Sequence, residues 1–192
     1  MQNQRIFPIV VGTFFMILFT LTIVHLFRQG RSQVNVMVAQ EVQRLADILR
    51  EIDATCKIID FDHQQNWINF LNVERFAGSE VGSLNMTYPK RWDGPYLQDN
   101  PTMQDKEYMV VRTKKGYFVT PGSGVRLANG KVIGKDIILD EDADIEKMAT
   151  DENFLMYKGQ ALAVPLPVGV GSGKEVLMEN ILKADDGLVY NK

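Results

Sequence analysis

Residues 6–27, IFPIVVGTFFMILFTLTIVHLF, hold no Asp, Glu, Lys or Arg, and no other stretch constrains the chain as strongly. At about 1.5 Å of rise per residue the run covers roughly 30 Å, the thickness of a bilayer's hydrocarbon core. Fifteen of its residues are Ile, Leu, Val or Phe, which outweigh Pro8, Gly12, three threonines and His25 on an insertion scale. The run is therefore expected to be a transmembrane helix. A cleaved leader and a buried core helix are the other readings. A leader's apolar region is about 7–15 residues long and ends at a small-x-small site, whereas this run is longer and meets Arg28-Gln29-Gly30-Arg31. Arg5 before it and Arg28 and Arg31 after it nearly balance, so charge alone does not orient it.

Beyond the run, Val34, Val38, Val42, Leu45, Ile48, Leu49, Ile52 and Cys56 recur in steps of three and four. That spacing predicts one apolar stripe on a helix, with Glu41, Arg44, Asp47, Arg50 and Glu51 on the other side. Gly30 alone interrupts the join and costs about 1 kcal/mol, so a helix continuing or kinking from run to stem is expected. The stripe needs a partner, either the chain's own sheet or neighbouring copies. Val34, Val38, Val42, Leu45, Leu49 and Ile52 are the packing candidates.

The remainder reads as a small mixed domain. Trp67, Ile68, Phe70, Leu71, Val73 and Phe76 suggest a short helix. Residues 82–101 shift to Gly, Pro, Asn, Asp and aromatics and read as an irregular loop. Two hairpins follow: 107–113 with 117–120 across Lys114-Lys115-Gly116, and 124–127 with 131–134 across Ala128-Asn129-Gly130. Residues 136–139 would extend the second hairpin, 144–150 would form one or two helical turns, and 161–168 an edge strand limited by Pro165 and Pro167. A short helix is expected at 175–183.

Composition excludes several functions. A net charge of −3 with scattered basic residues leaves no footprint for nucleic acid. Cys56 is the one cysteine, so neither an intramolecular disulfide nor a cysteine metal cage can form. His25 and His63 are isolated, and no nucleophile and base stand together, so no enzyme is expected. Residues 169–174, GVGSGK, lack the spacing of a phosphate loop and carry Glu175 in place of its hydroxyl. Asp140, Asp142 and Asp144 alternate in a way that suits Ca²⁺, although Ile145 stands where an EF-hand needs glycine. A solvated acidic loop favouring the following helix N-terminus is the other reading. Structural calcium is the one cofactor the sequence suggests.

Three features together resemble a bacterial pseudopilin, in particular the major pseudopilin of type II secretion. These are the apolar helix running into an amphipathic stem, the string Trp92-Asp93-Gly94-Pro95-Tyr96-Leu97, and the small β-rich part after it. In that string Gly94 and Pro95 would set a turn while Trp92, Tyr96 and Leu97 pack down. The family's peptidase site, a glycine followed by F-T-L-x-E, is imitated by Phe19-Thr20-Leu21-Thr22, with Leu18 for the glycine and Ile23 for the glutamate.

The resemblance implies an α+β, pilin-like fold: a long N-terminal transmembrane and amphipathic helix with a small antiparallel β-rich head. Its parts would be a cytoplasmic tail at 1–5, the span at 6–27, the stem at 28–59 and an extracytoplasmic head at 60–192. The implied role is a structural subunit of a secretion or pilus-type assembly at the inner membrane, self-associating or packing with other pilin-like subunits. The other reading is an anchored binding or adaptor domain that does not polymerise.

Overall fold

The structure, a computed structural model, describes residues 3–169, with the side chains at 3–10 and 26–32 left outside the description. One helix, α1, runs unbroken over Asn3–Cys56. Its turn out is a tight one. Lys57 takes φ 57°, Lys57 N–H still bonds Asp53 O at 3.0 Å, and Asp53 Oδ1 accepts Ile58 N–H at 2.9 Å. A left-handed residue of this kind closes many helices, usually as glycine.

Eleven short strands and a second helix follow among the described residues. They are β1 (Ile58–Phe61), β2 (Gln65–Trp67), β3 (Glu80–Val81), β4 (Leu84–Met86), β5 (Thr102–Met103), β6 (Lys106–Glu107), β7 (Met109–Thr113), β8 (Gly116–Thr120), α2 (Ile145–Met148), β9 (Met156–Tyr157), β10 (Gln160–Ala161) and β11 (Val164–Leu166), with a 3-10 turn at Pro89–Arg91. The main sheet is antiparallel in the order β11-β8-β7-β2, and a three-stranded sheet is ordered β1-β4-β3. In the main sheet Val164 pairs with Val119, Val119 with Val110, and Val110 with Asn66.

The stem lies on this sheet, touching β8 and β11. Val38, Val42, Leu45, Leu49, Ile52 and Cys56 are buried, and Val34 is half-buried against the same core. Of the two partners expected for the period-3.6 stripe, the structure shows the chain's own head packed against it. Polar ties set the register. Asn35, itself buried, accepts Ala128 N–H at 2.9 Å through Oδ1, and Arg50 Nη2 donates to Pro165 O at 2.9 Å.

The expected membrane span is also corrected. Among the described residues no helix is long and apolar enough to cross a membrane. The described architecture is α+β, one long helix with several small antiparallel sheets.

Local expectations divide. The hairpin β7–β8, the α2 turn and the proline-bearing edge strand β11 match the sequence pattern. The helix expected around Trp67 to Phe76 is replaced by extended chain: burial alternates strictly from Asn66 to Phe70, a period of two. Pairing continues past β2, with Ile68 N–H on Tyr108 O at 2.8 Å. Residues 82–101 are not wholly irregular, since β4 lies within them and pairs with β1. The turn at 128–130 carries a single bridge, Arg126 to Val132, and 136–139 does not extend it antiparallel, because Ile137 bridges Ile133 in parallel. The piece from 170 onward, including the helix expected at 175–183, lies outside the described residues.

Candidate functional site

The N-terminal part of α1 has a surface unlike the rest of the molecule. Six consecutive side chains, Phe14 to Phe19, are exposed, from 43% at Leu18 to 70% at Met16. With 3.6 residues per turn, six in a row cover every side of the helix. Val11, Leu21, Ile23 and Val24 continue the surface. Two polar side chains within it turn inward on the helix: Thr20 Oγ1 donates to Met16 O and Thr22 Oγ1 to Leu18 O, both at 2.8 Å. Such back-bonding hides hydroxyls from an apolar surrounding. A helix apolar on all sides, unlike a one-sided stripe, is suited to enclosure by several neighbours.

The loop singled out in the sequence is a clamp on the head. Trp92 donates from Nε1 to Val73 O at 3.0 Å and stands edge-on to Phe76 and Tyr96, with ring centroids 5.4 Å and 4.9 Å away. Tyr96 and Leu97 both give their N–H groups to Leu71 O, at 2.8 Å and 3.1 Å, and Leu97 is buried. The Gly94–Pro95 bond is cis. Gly94 is required by space, because a Cβ there would lie 2.3 Å from Trp92 Nε1 and 2.4 Å from Val73 O. Burial pushes the Tyr96 phenol up, opposed by the Asp93 N–H at its oxygen and by Thr55 of α1. Trp92, Gly94, Tyr96 and Leu97 therefore pack in one turn, with Pro95 exposed on it.

The acidic run is held by lysines. Lys114 and Lys115 sit at the β7–β8 turn; Lys114 Nζ bonds Asp142 Oδ1, and Lys115 Nζ lies 2.8 Å from Asp144 Oδ2. Asp144 Oδ1 also caps α2 by accepting Lys147 N–H at 3.2 Å, and Asp140 Oδ1 accepts Asp142 N–H at 3.2 Å. The Lys115 hydrogen bond holds the Asp144 carboxyl below its ordinary value, and the same bond raises the lysine. Asp140, Asp142 and Asp144 are thus drawn to separate partners. Among the described residues no group of three or more His, Cys, Asp or Glu is placed to hold a metal ion.

The structure also assembles pockets that no single stretch of sequence announces. One of about 380 Å³ lies between α1 and the chain after the clamp, walled by Glu41, Arg44, Tyr96 and Asp99. Behind β7, Tyr108 is buried with its hydroxyl lacking a partner among the described residues, and burial, with Glu41 adding to it, pushes its phenol far above the ordinary range. A second pocket, of about 210 Å³, is lined by Asp62, His63, Asn66, Trp67, Asn69 and Ser83, with Gly82 beside them. Burial alternates from 66 to 70 and turns Trp67 outward, 57% exposed, although Trp67 and Ile68 stand side by side as apolar residues in the sequence.

No protein-family model, curated protein or solved structure matches the chain.

Proposed function

We propose that this chain is a pilin-like structural subunit of a secretion or pilus-type assembly, and that it associates through the apolar N-terminal part of α1 with helices of other copies or similar subunits. The observation that carries the reading is the unbroken exposure from Phe14 to Phe19 on all sides of a helix that continues directly into the head. Ten large apolar side chains between Val11 and Val24 are exposed. Full burial of one such side chain is worth about 1.5–3 kcal/mol, so even half of that at each gives on the order of 10 kcal/mol for enclosing the segment. This is comparable with the cost of association, about 4–15 kcal/mol, and so can sustain a multi-subunit contact.

The reading is tested by sedimentation of the full chain. Native protein is expected as a concentration-dependent oligomer, and Ile17→Glu with Leu21→Glu is expected as a monomer with an unchanged circular dichroism spectrum. A monomer in both cases would overturn it.

A further inference from the structure

We propose that the pocket beside β2 binds one neutral pyranose ring, making the head a carbohydrate-recognition surface. β2 is the open edge of the main sheet, and its outward face carries Trp67 with Asn69 two residues on. An indole left 57% exposed on a head with a complete core has no packing role to explain it, because tryptophan is mostly buried in folded proteins. The pyranose's apolar C–H face stacks on such a ring, and its hydroxyls need planar amide and carboxylate partners around the rim.

The rim supplies them. Asp62 is fixed by two contacts: its N–H bonds Ser83 O at 3.0 Å, and its Oδ1 accepts Asn85 Nδ2 at 2.9 Å. Its Oδ2 takes no hydrogen bond among the described residues and is open to a ligand hydroxyl. Asn69 is anchored through its carbonyl, which accepts Asn100 Nδ2 at 2.9 Å, leaving its amide free among the described residues. Asn66 holds the intervening turn by accepting His63 N–H at 2.9 Å. Ser83 also lines the pocket, and its Oγ is buried with no partner among the described residues. An unsatisfied buried hydroxyl costs free energy unless something completes it.

Volume and charge narrow the ligand. About 210 Å³ is below the roughly 300–1,000 Å³ of sites for drug-sized ligands, which suits a single ring. No Lys or Arg lines the pocket, whose titratable residues are Asp62 and His63, so a phosphate or carboxylate ligand would meet a carboxylate and neither a lysine nor a guanidinium. An arginine side chain could meet Trp67 and Asp62, but the neutral Asn69 and Ser83 beside the Trp67 and His63 rings favour a hydroxylated ring.

The test is saturation-transfer NMR on the full chain with the methyl glycosides of glucose, galactose and mannose, N-acetylglucosamine, glucuronic acid and N-acetylarginine amide. At least one neutral sugar is expected to bind with millimolar affinity, with glucuronic acid at least tenfold weaker. Trp67→Ala should abolish transfer, and Asp62→Asn should weaken binding several-fold, both with unchanged thermal midpoints. Should Trp67→Ala not fold, Trp67→Phe serves instead and is expected to weaken binding several-fold. Transfer to no neutral sugar, transfer unaffected by every variant, or binding of the arginine amide alone would overturn the proposal.

Discussion

Trp92 and Gly94 occupy one space: the indole nitrogen bonds Val73 O at 3.0 Å only because residue 94 has no side chain, and a Cβ there would stand 2.3 Å from that nitrogen. Both atoms that a new methyl meets belong to the hydrogen bond itself, so the bond must open. Gly94→Ala is expected to destabilise the head by about 1–3 kcal/mol, from overpacking and a lost bond. Urea denaturation measures this, and the near-ultraviolet dichroism of Trp92 should fall with it. Unchanged stability would mean that the clamp yields freely.

Asn35 ties the stem to the turn at 128–130 across 93 positions of sequence. Removing its oxygen leaves the Ala128 N–H without its acceptor beside a buried side chain. Asn35→Ala should cost about 1–3 kcal/mol, and hydrogen exchange at Ala128 should speed up more than at Val110 in the main sheet.

Lys57 closes α1 with φ 57°, a conformation that costs an ordinary residue about 1 kcal/mol or more and glycine little. Lys57→Gly is therefore expected to stabilise the protein by up to about 1 kcal/mol in the same denaturation assay. A loss of stability would show that the lysine side chain outweighs the strain.

The pair Lys115–Asp144 makes a pH prediction. Asp144 has a folded-state pKa below its ordinary 3.8, so its contribution is present above that value and lost as pH falls through the lowered one. Lys115 is raised above 10.5, so its contribution is present below that value and lost as pH rises through the raised one. Both groups are exposed, and the stability involved is small and salt-sensitive. Lys115→Gln should move the Asp144 titration midpoint, followed by NMR, up toward 3.8. Calcium must compete with these lysines, so millimolar Ca²⁺ is expected to leave the thermal midpoint unchanged; a rise abolished by Asp142→Ala would restore a calcium site.

How much of this the sequence announces depends on whether a pattern is local. The stem stripe is legible because Val38, Val42, Leu45, Leu49 and Ile52 repeat at the helical period and meet a single buried surface. The β7–β8 hairpin is legible because its β-branched and aromatic residues flank a two-lysine turn. Residues 67–76 mislead because their apolar content fits a helix, while the deciding fact is that the chain entering them pairs with β7, Trp67 opposite the distant Met109. β1 is short, and Asp60 sits opposite Asn85 across an irregular register, so β1 shows no alternating face while β4 alternates over only three residues. The Trp67 pocket joins residues 62–69 to 82–83 and exists only once β1 and β4 pair. The apolar run itself is plain in the sequence, but which surface it meets is not written there.

Association through α1 is tested most directly by cysteine crosslinking at Phe14→Cys and Met16→Cys, each made separately in the full chain, where the native Cys56 is buried. The two positions are about 200° apart around the helix. Homomeric crosslinks are expected from both, as enclosure by several neighbours requires, and none from Val42→Cys in the buried stripe. Crosslinks at neither position would contradict the account, and crosslinks at one alone would replace a multi-helix assembly with a one-faced dimer.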